Sequence, residues 1–261
     1  MAKFYTNDNV ALDYNVYGEG PAIILIAGYS GNQSTWTAQI TPLLEAGLKV
    51  ITYDRRNHGL SQSVDYGMRI SRHGQDLFEL ISKLKIKKPI LLGHSMGAST
   101  IFSYLSLYGD SNIQAIITED QSPKTLKDND WPYGVFDSDL SNLDTAIYKI
   151  THTKLTKLKL SEKIKSVISA NYKVFNFQYN QPLLFDSLIQ DWTDIVSLER
   201  VEHLFIAGGQ SPLWPIGYND AIARLAKYGS AITINEAGHI PHLEAPDEFN
   251  REIINFIKSV V

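Results

Sequence analysis

Residues 89–100 read PILLGHSMGAST, an apolar run that leads into a serine between two glycines. The run predicts a buried strand, and the small residues after the second glycine predict the start of a helix. A serine in the tight turn between them lies at the carboxyl end of the sheet, in a strained backbone conformation and beside the positive end of the helix. The stretch therefore marks Ser95 as a candidate nucleophile, although the bare Gly-x-Ser-x-Gly pattern also occurs by chance in turns.

The rest of the chain alternates short apolar runs with amphipathic ones. The apolar runs predict strands over 10–17, 22–27, 49–53, 89–92, 113–118, 203–207 and 231–235. Helical spacing of apolar residues predicts helices over about 34–45, 70–84, 96–108, 218–228 and 247–260. Strands that alternate with helices imply an α/β fold, in which a mostly parallel central sheet is flanked by helices on both sides.

One segment, residues 124–198, departs from this alternation. It contains helical patches and many aromatic residues but no convincing strand. We interpret it as a helical cap, or lid, inserted into a single domain. The core of that domain then comprises residues 1–123 and 199–261.

Composition narrows the classes of partner. The 261 residues carry a formal charge of −4, which gives no electrostatic reason to expect nucleic acid. The chain has no cysteine, which excludes disulfides, thiolate nucleophiles and cysteine-ligated metals. Neither a signal sequence nor an apolar run of about 18 residues is visible, so the sequence predicts no membrane partner and a cytoplasmic location.

The strand, the glycine-flanked turn and the helix around Ser95 resemble the nucleophile elbow of the α/β-hydrolase family. The resemblance covers residues 10–123 and 199–260 and implies the α/β-hydrolase fold. Residues 236–246, EAGHIPHLEAP, follow the last predicted strand and are similar to the family's catalytic histidine loop. The Gly238-His239 pair makes His239 the expected general base, since imidazole can take the serine proton and return it. His242 is the rival, and a metal held by the two histidines lacks a supporting cluster of acidic or cysteine ligands.

The acid of the expected triad is not where most of the family carries it. The turn after the penultimate strand reads GGQSP at 208–212, with Ser211 in place of aspartate. A neutral hydroxyl cannot stabilise the imidazolium that forms at His239. Asp120 begins an Asp-x-x-Pro turn after the strand predicted at 113–118, which resembles a subset of small bacterial carboxylesterases that take the acid from that turn. We therefore assign Asp120, with Glu119 as the fallback; the alternative is that Asp120 only caps the following loop.

The resemblance also implies an oxyanion hole formed by the backbone amides of Tyr29 and Met96. Many relatives have His-Gly at the start of the first of these turns, whereas this chain has Ala27-Gly28, which leaves the support of the turn open. The turn at 54–61, DRRNHGLS, is interpreted as loop organisation without a chemical role. The residues expected to line the substrate pocket are Gly28, His94, Trp131, Tyr133 and Trp214.

These residues predict a carboxylesterase-type serine hydrolase that cleaves small to medium apolar esters without a cofactor or metal. The same fold also carries cofactor-free dioxygenases and perhydrolase or haloperoxidase-like enzymes, so these remain alternatives. A third alternative is a non-catalytic ligand receptor on a hydrolase scaffold. The sequence leaves the oligomeric state and the natural ester open.

Overall fold

A single mixed sheet forms the centre of the protein in the computed structural model, which describes residues 2–261. Its eight strands among the described residues are β1 (Ala2–Tyr5), β2 (Ala11–Tyr17), β3 (Ala22–Ile26), β4 (Lys49–Tyr53), β5 (Ile90–His94), β6 (Ala115–Glu119), β7 (Glu202–Gly208) and β8 (Gly229–Ile234). Their order is β1-β2-β4-β3-β5-β6-β7-β8. Only β1 with β2 and β2 with β4 pair antiparallel; the other pairs are parallel. The predicted α/β fold with a mostly parallel sheet is confirmed.

Strand β1 is the one strand of the described residues that the sequence pattern did not predict. It is four residues long, and only Phe4 turns inward while the other three side chains are exposed. So short an edge strand carries too little alternation of polar and apolar residues to be recognised.

Ten α-helices are found among the described residues. They are α1 (Thr37–Glu45), α2 (Ile70–Lys83), α3 (Met96–Tyr108), α4 (Leu143–His152), α5 (Glu162–Ala170), α6 (Gln181–Leu188), α7 (Thr193–Leu198), α8 (Tyr218–Ala223), α9 (Pro241–Glu244) and α10 (Pro246–Val260). The helix predicted at 34–45 divides into a 3₁₀ turn (Gln33–Trp36) and α1. The helix predicted at 218–228 ends early at Ala223, since the chain must turn before β8 begins at Gly229.

Helices on both faces of the sheet explain why β3 is apolar throughout. Ile24 and Ile26 pack in the cluster that includes Leu77 of α2 and Ile101 of α3. On the opposite face, alternate residues of β3 join a second cluster whose members from the helices include Leu43 of α1 and Phe249 of α10. Successive side chains of a strand point to opposite faces, so a strand covered on both sides must be apolar at every position.

Helices α4 to α7 lie between β6 and β7 in the chain. Apolar side chains of α4, α6 and α7 share one cluster with Phe102 of α3 and Phe205 of β7, so these helices pack against the sheet layer. The division into a core and a cap at 124–198 stays a prediction. No helix within residues 2–261 is both long enough and apolar enough to cross a membrane.

Candidate active site

Ser95 occupies the turn between β5 and α3. Its backbone has φ 52° and ψ −125°, a conformation that non-glycine residues rarely adopt. The flanking glycines leave no room for side chains, because a Cβ on Gly97 would lie 2.1 Å from the Ile26 carbonyl oxygen and one on Gly93 2.6 Å from the Ala98 nitrogen. The Ser95 side chain is half-buried and contributes to the wall of a cavity.

His239 lies on the loop after β8, where its Nδ1 is 2.6 Å from Oδ2 of Asp120. Asp120 directly follows β6, is fully buried and has φ 46°. His239 is 3 % exposed and lines the same cavity as Ser95. The structure thus pairs His239 with Asp120 and places His239 and Ser95 on the wall of one cavity, and the three residues follow three different strands.

The Asp120 carboxylate accepts three further hydrogen bonds. Gly208 N and Tyr218 Oη each donate to Oδ1 at 3.0 Å, and Ser211 Oγ donates to Oδ2 at 2.6 Å. Burial and the charge of Asp120 raise the pKa of Tyr218, so its hydroxyl stays protonated and donates. A carboxylate with donors on both oxygens has its position and its charge fixed by the fold.

Ser211 has a role in this arrangement that sequence reasoning missed. It stands at the position where most of the family has the acid, and its hydroxyl donates to Asp120, the candidate acid. The GGQSP turn contained the signal, since a serine there can reach the end of the neighbouring strand β6. Trp214 from the same loop donates Nε1 to the Asp120 carbonyl oxygen at 3.0 Å and also lines the cavity.

Glu119, the fallback acid, faces a different histidine. It is fully buried, and its Oε1 accepts the His242 backbone N–H at 2.8 Å while Oε2 lies 2.8 Å from His242 Nδ1. The His242 ring stacks on Trp36 with a centroid distance of 4.1 Å. Glu119 therefore anchors the loop that carries His239 to the end of β6, and the two histidines of the His-x-x-His pair face separate carboxylates.

Replacing Glu119 by glutamine is expected to lower the free energy of unfolding more than it lowers turnover. The amide retains one acceptor for His242 but loses the charge that pairs with a buried imidazole, which costs about 1–3 kcal/mol. Urea denaturation and ester kinetics on the same preparation measure the two effects, with kcat expected within about tenfold of the wild type. Unchanged stability would show that this pair does not hold the loop.

Gly28, Tyr29 and Met96 line the cavity at Ser95. A Cβ on Gly28 would lie 3.0 Å from the Ser95 Cβ and 2.9 Å from His94 Nδ1, so the backbone of this turn passes close to the serine. Among the hydrogen bonds within residues 2–261, the amides of Tyr29 and Met96 donate to no other group. Two free N–H groups beside a serine are the arrangement that an oxyanion hole requires.

The cavity has a volume of about 440 Å³ and lies between the carboxyl edge of the sheet and the helical segment 124–198. Apolar side chains from that segment form much of its wall: Val135, Ile150, Leu155, Leu160, Ile168, Phe177, Leu184 and Leu188. None of the lining residues in the described chain is aspartate, glutamate, lysine or arginine. The cavity therefore suits an uncharged, largely apolar ligand.

The pocket prediction needs one correction. Gly28, His94 and Trp214 line the cavity as expected, whereas Trp131 and Tyr133 do not belong to its wall. Trp131 is buried in the apolar cluster beneath α4 and α6, and its ring contacts that of Tyr133 edge to face at 5.2 Å. At this place in the fold, the two large aromatic side chains pack in the apolar cluster with α4 and α6 and not against the cavity.

Three buried histidines should make stability depend on pH. Burial is the main cause that lowers the pKa of His58, His73 and His94 well below the ordinary value. The folded protein keeps them neutral, whereas the unfolded chain protonates them below about pH 6.5. The contribution of the three histidines to the free energy of unfolding is then fully present above this pH. Below it, the free energy of unfolding falls by up to about 4 kcal/mol per pH unit. Urea denaturation between pH 8 and pH 5 tests this; a free energy of unfolding that does not fall over this range would contradict it.

A family model, several curated proteins and many solved structures match this chain. The family model described as "Alpha/beta hydrolase family" matches residues 23–252. An sn-1-specific diacylglycerol lipase of Xenopus tropicalis is 27 % identical over 266 residues, covering 96 % of this chain and 83 % of the lipase. A non-heme chloroperoxidase of Kitasatospora aureofaciens is 30 % identical over 133 residues, or 51 % of this chain and 48 % of that protein. The chain spans about half the length of the chloroperoxidase relatives that it matches.

Solved structures show the same fold. An esterase from Exiguobacterium antarcticum superimposes with a TM-score of 0.86 at 20 % identity, covering 98 % of both chains. The sheet order, the strained serine between β5 and α3 and a family match over most of the sequence lead to one conclusion. This chain belongs to the alpha/beta hydrolase family.

Proposed function

We propose that this protein is a carboxylesterase-type serine hydrolase that cleaves small to medium apolar esters. The observation that carries the proposal is the 2.6 Å contact between Asp120 Oδ2 and His239 Nδ1, beside a cavity lined by Ser95 and by two residues whose backbone amides have no other acceptor within residues 2–261. This set supplies a nucleophile, a base, an acid that orients the base and donors for a developing oxyanion.

The proposed reaction has two half-reactions. Ser95 attacks the ester carbonyl carbon while His239 takes the hydroxyl proton, and the Asp120 carboxylate stabilises the resulting imidazolium. The amides of Tyr29 and Met96 bind the oxygen of the tetrahedral intermediate. His239 then protonates the departing alcohol, and a water molecule activated by the same ring hydrolyses the acyl-enzyme.

Covalent labelling tests the nucleophile directly. A fluorophosphonate is expected to form one adduct per chain, at Ser95, and to stop ester hydrolysis in proportion to labelling. Hydrolysis of p-nitrophenyl acetate is expected to show a burst followed by steady turnover if deacylation limits the rate. Steady turnover separates an enzyme from the receptor alternative, since a receptor would bind or react once without continued product release.

The shape of the cavity predicts the acyl preference. A series of p-nitrophenyl esters from acetate to octanoate is expected to give the highest kcat/KM at short to medium acyl chains. The cavity of about 440 Å³ must hold the alcohol part of the ester as well as the acyl chain. Leu188→Trp fills part of the cavity and should shift the acyl-chain length of highest kcat/KM to shorter chains. Leu198→Trp is the matched control, since Leu198 is exposed and outside the wall. An optimum that does not move would place the acyl group elsewhere.

A perhydrolase or haloperoxidase-like activity is the second candidate, supported by the similarity to a non-heme chloroperoxidase over half of the chain. In that reaction hydrogen peroxide replaces water in the attack on the acyl-enzyme, and the product is a peracid. Competition between water and peroxide for one acyl-enzyme measures which nucleophile the site favours. Oxygen uptake with an aromatic N-heterocycle, insensitive to Ser95→Ala, would instead indicate the dioxygenase alternative.

A further inference from the structure

Arg55 lies immediately behind the turn that carries the Tyr29 amide. It follows β4, is 2 % exposed, and its Nη2 donates to the Gly28 carbonyl oxygen at 2.7 Å. The guanidinium also lies 3.2 Å from His58 Nε2 and 3.4 Å from His73 Nδ1. The turn at 54–61, interpreted from sequence as loop organisation alone, thus places a cation against the candidate oxyanion hole.

Within the described part of the chain, the positive charge of Arg55 has no acidic partner. The salt bridges of residues 2–261 do not include it, whereas the neighbouring Arg56 pairs with Asp76 at 2.7 Å and with Asp8 at 3.0 Å. Burial lowers the pKa of Arg55 to about 10, which still leaves it charged near neutral pH. Its charge helps to keep His58 and His73 neutral, so that they accept its hydrogen bonds. Burying a cation without a counter-charge is costly, so a compensating use for the charge is expected.

The planar peptide between Gly28 and Tyr29 links this cation to Ser95. In a trans peptide the C=O and N–H bonds point in opposite directions. A hydrogen bond from Arg55 to the Gly28 oxygen therefore directs the Tyr29 N–H away from the guanidinium. The Gly28 backbone passes against the Ser95 Cβ on the cavity side, and the Tyr29 amide donates to no other group among the described residues. The same hydrogen bond polarises the peptide and strengthens the N–H as a donor.

We propose that Arg55 is a positioning residue, which aims and polarises the Tyr29 amide and adds an uncompensated positive charge that stabilises a tetrahedral oxyanion. This inference rests on the proposed esterase function. It also answers how a turn that begins with Ala27-Gly28 is supported: a side chain from the turn after β4 donates a hydrogen bond to it. A preorganised cation in a water-poor site favours the transition state over the neutral ester, so its loss should lower kcat more than it raises KM.

A pair of ketones separates this role from a structural one. A trifluoromethyl ketone forms a tetrahedral adduct with Ser95, whereas the methyl ketone of the same chain length binds as a neutral carbonyl. Arg55→Met is expected to lower kcat about 10–100-fold with KM within about threefold, and to weaken the trifluoromethyl ketone by the same factor as kcat. The methyl ketone should bind as it does to the wild type.

Arg56→Lys is the matched control. Arg56 is the next residue in the sequence and is also buried, but it is paired with two acids. It should alter the melting temperature without changing the affinity ratio of the two ketones. If Arg55→Met does not fold, Arg55→Lys is tested by the same criterion. Lysine keeps the positive charge but loses the planar guanidinium with its several N–H donors. We expect this variant to lose about 3–10-fold in kcat and in affinity for the trifluoromethyl ketone.

Two results in the folded Arg55 variant would overturn the inference. One is an equal loss of affinity for both ketones, and the other is a kcat within threefold of the wild type. The proposed function fails in a different way. A wild-type protein that hydrolyses no ester and binds both ketones equally would contradict the esterase itself, before any variant is compared.

Discussion

Replacing Ser95 by alanine is expected to lower kcat for ester hydrolysis by about 10⁵–10⁶, because the acyl-enzyme can no longer form. The amides of Tyr29 and Met96 and the apolar cavity would remain, so a small residual rate above the uncatalysed reaction is expected. Hydrolysis of p-nitrophenyl acetate measures the loss, and mass spectrometry after fluorophosphonate treatment should show no adduct.

Ser99→Ala is the matched control for this variant. Ser99 lies one turn further along α3 and is 2 % exposed, so the change is chemically identical but falls on a serine that is more deeply buried than Ser95. Its kcat should stay within a few-fold of the wild type. Turnover retained in Ser95→Ala but lost in Ser99→Ala would remove Ser95 from the mechanism.

Replacing Asp120 by asparagine is expected to lower kcat by about 10⁴ while the substrate still binds. The amide cannot stabilise the imidazolium, and its NH₂ group would face His239, Ser211, Gly208 or Tyr218, all of which now donate to a carboxylate. Kinetics with p-nitrophenyl acetate measures the loss in kcat, and saturation with the methyl ketone checks that the cavity is intact.

Asp13→Asn controls for the loss of a buried carboxylate in general. Asp13 is 2 % exposed and accepts a hydrogen bond from Gln33 Nε2 at 3.1 Å, in the β2 region of the sheet. We expect a loss of stability there with nearly normal kcat. A larger loss of kcat in Glu119→Gln than in Asp120→Asn would move the acid to Glu119.

The sequence was most informative where a residue's place follows from a strand end. Ser95, Asp120 and His239 each lie shortly after the end of a predicted strand, and the carboxyl ends of parallel strands meet at one edge of the sheet. Their proximity could therefore be predicted without knowing any side-chain contact. The GGQSP turn added that the acid had to come from elsewhere.

The remaining features depend on how separate segments pack, and no local pattern encodes them. Trp131 and Tyr133 were expected in the pocket because large aromatic residues suit either a core or a ligand, and only the path of the segment 124–198 decides between them. Arg55 likewise looked like part of a loop motif. Its contact with Gly28 joins residues 27 positions apart, and the absence of an acidic partner among the described residues appears only in three dimensions.

A crystal structure of the protein phosphonylated at its nucleophile would decide whether Ser95, His239 and Asp120 act as a triad. We expect phosphorus bonded to Ser95 Oγ, its oxygen within hydrogen-bond distance of the Tyr29 and Met96 amides, and His239 Nδ1 still donating to Asp120. A phosphonate on another residue, or a His239 ring turned from Asp120 toward a different carboxylate, would contradict it.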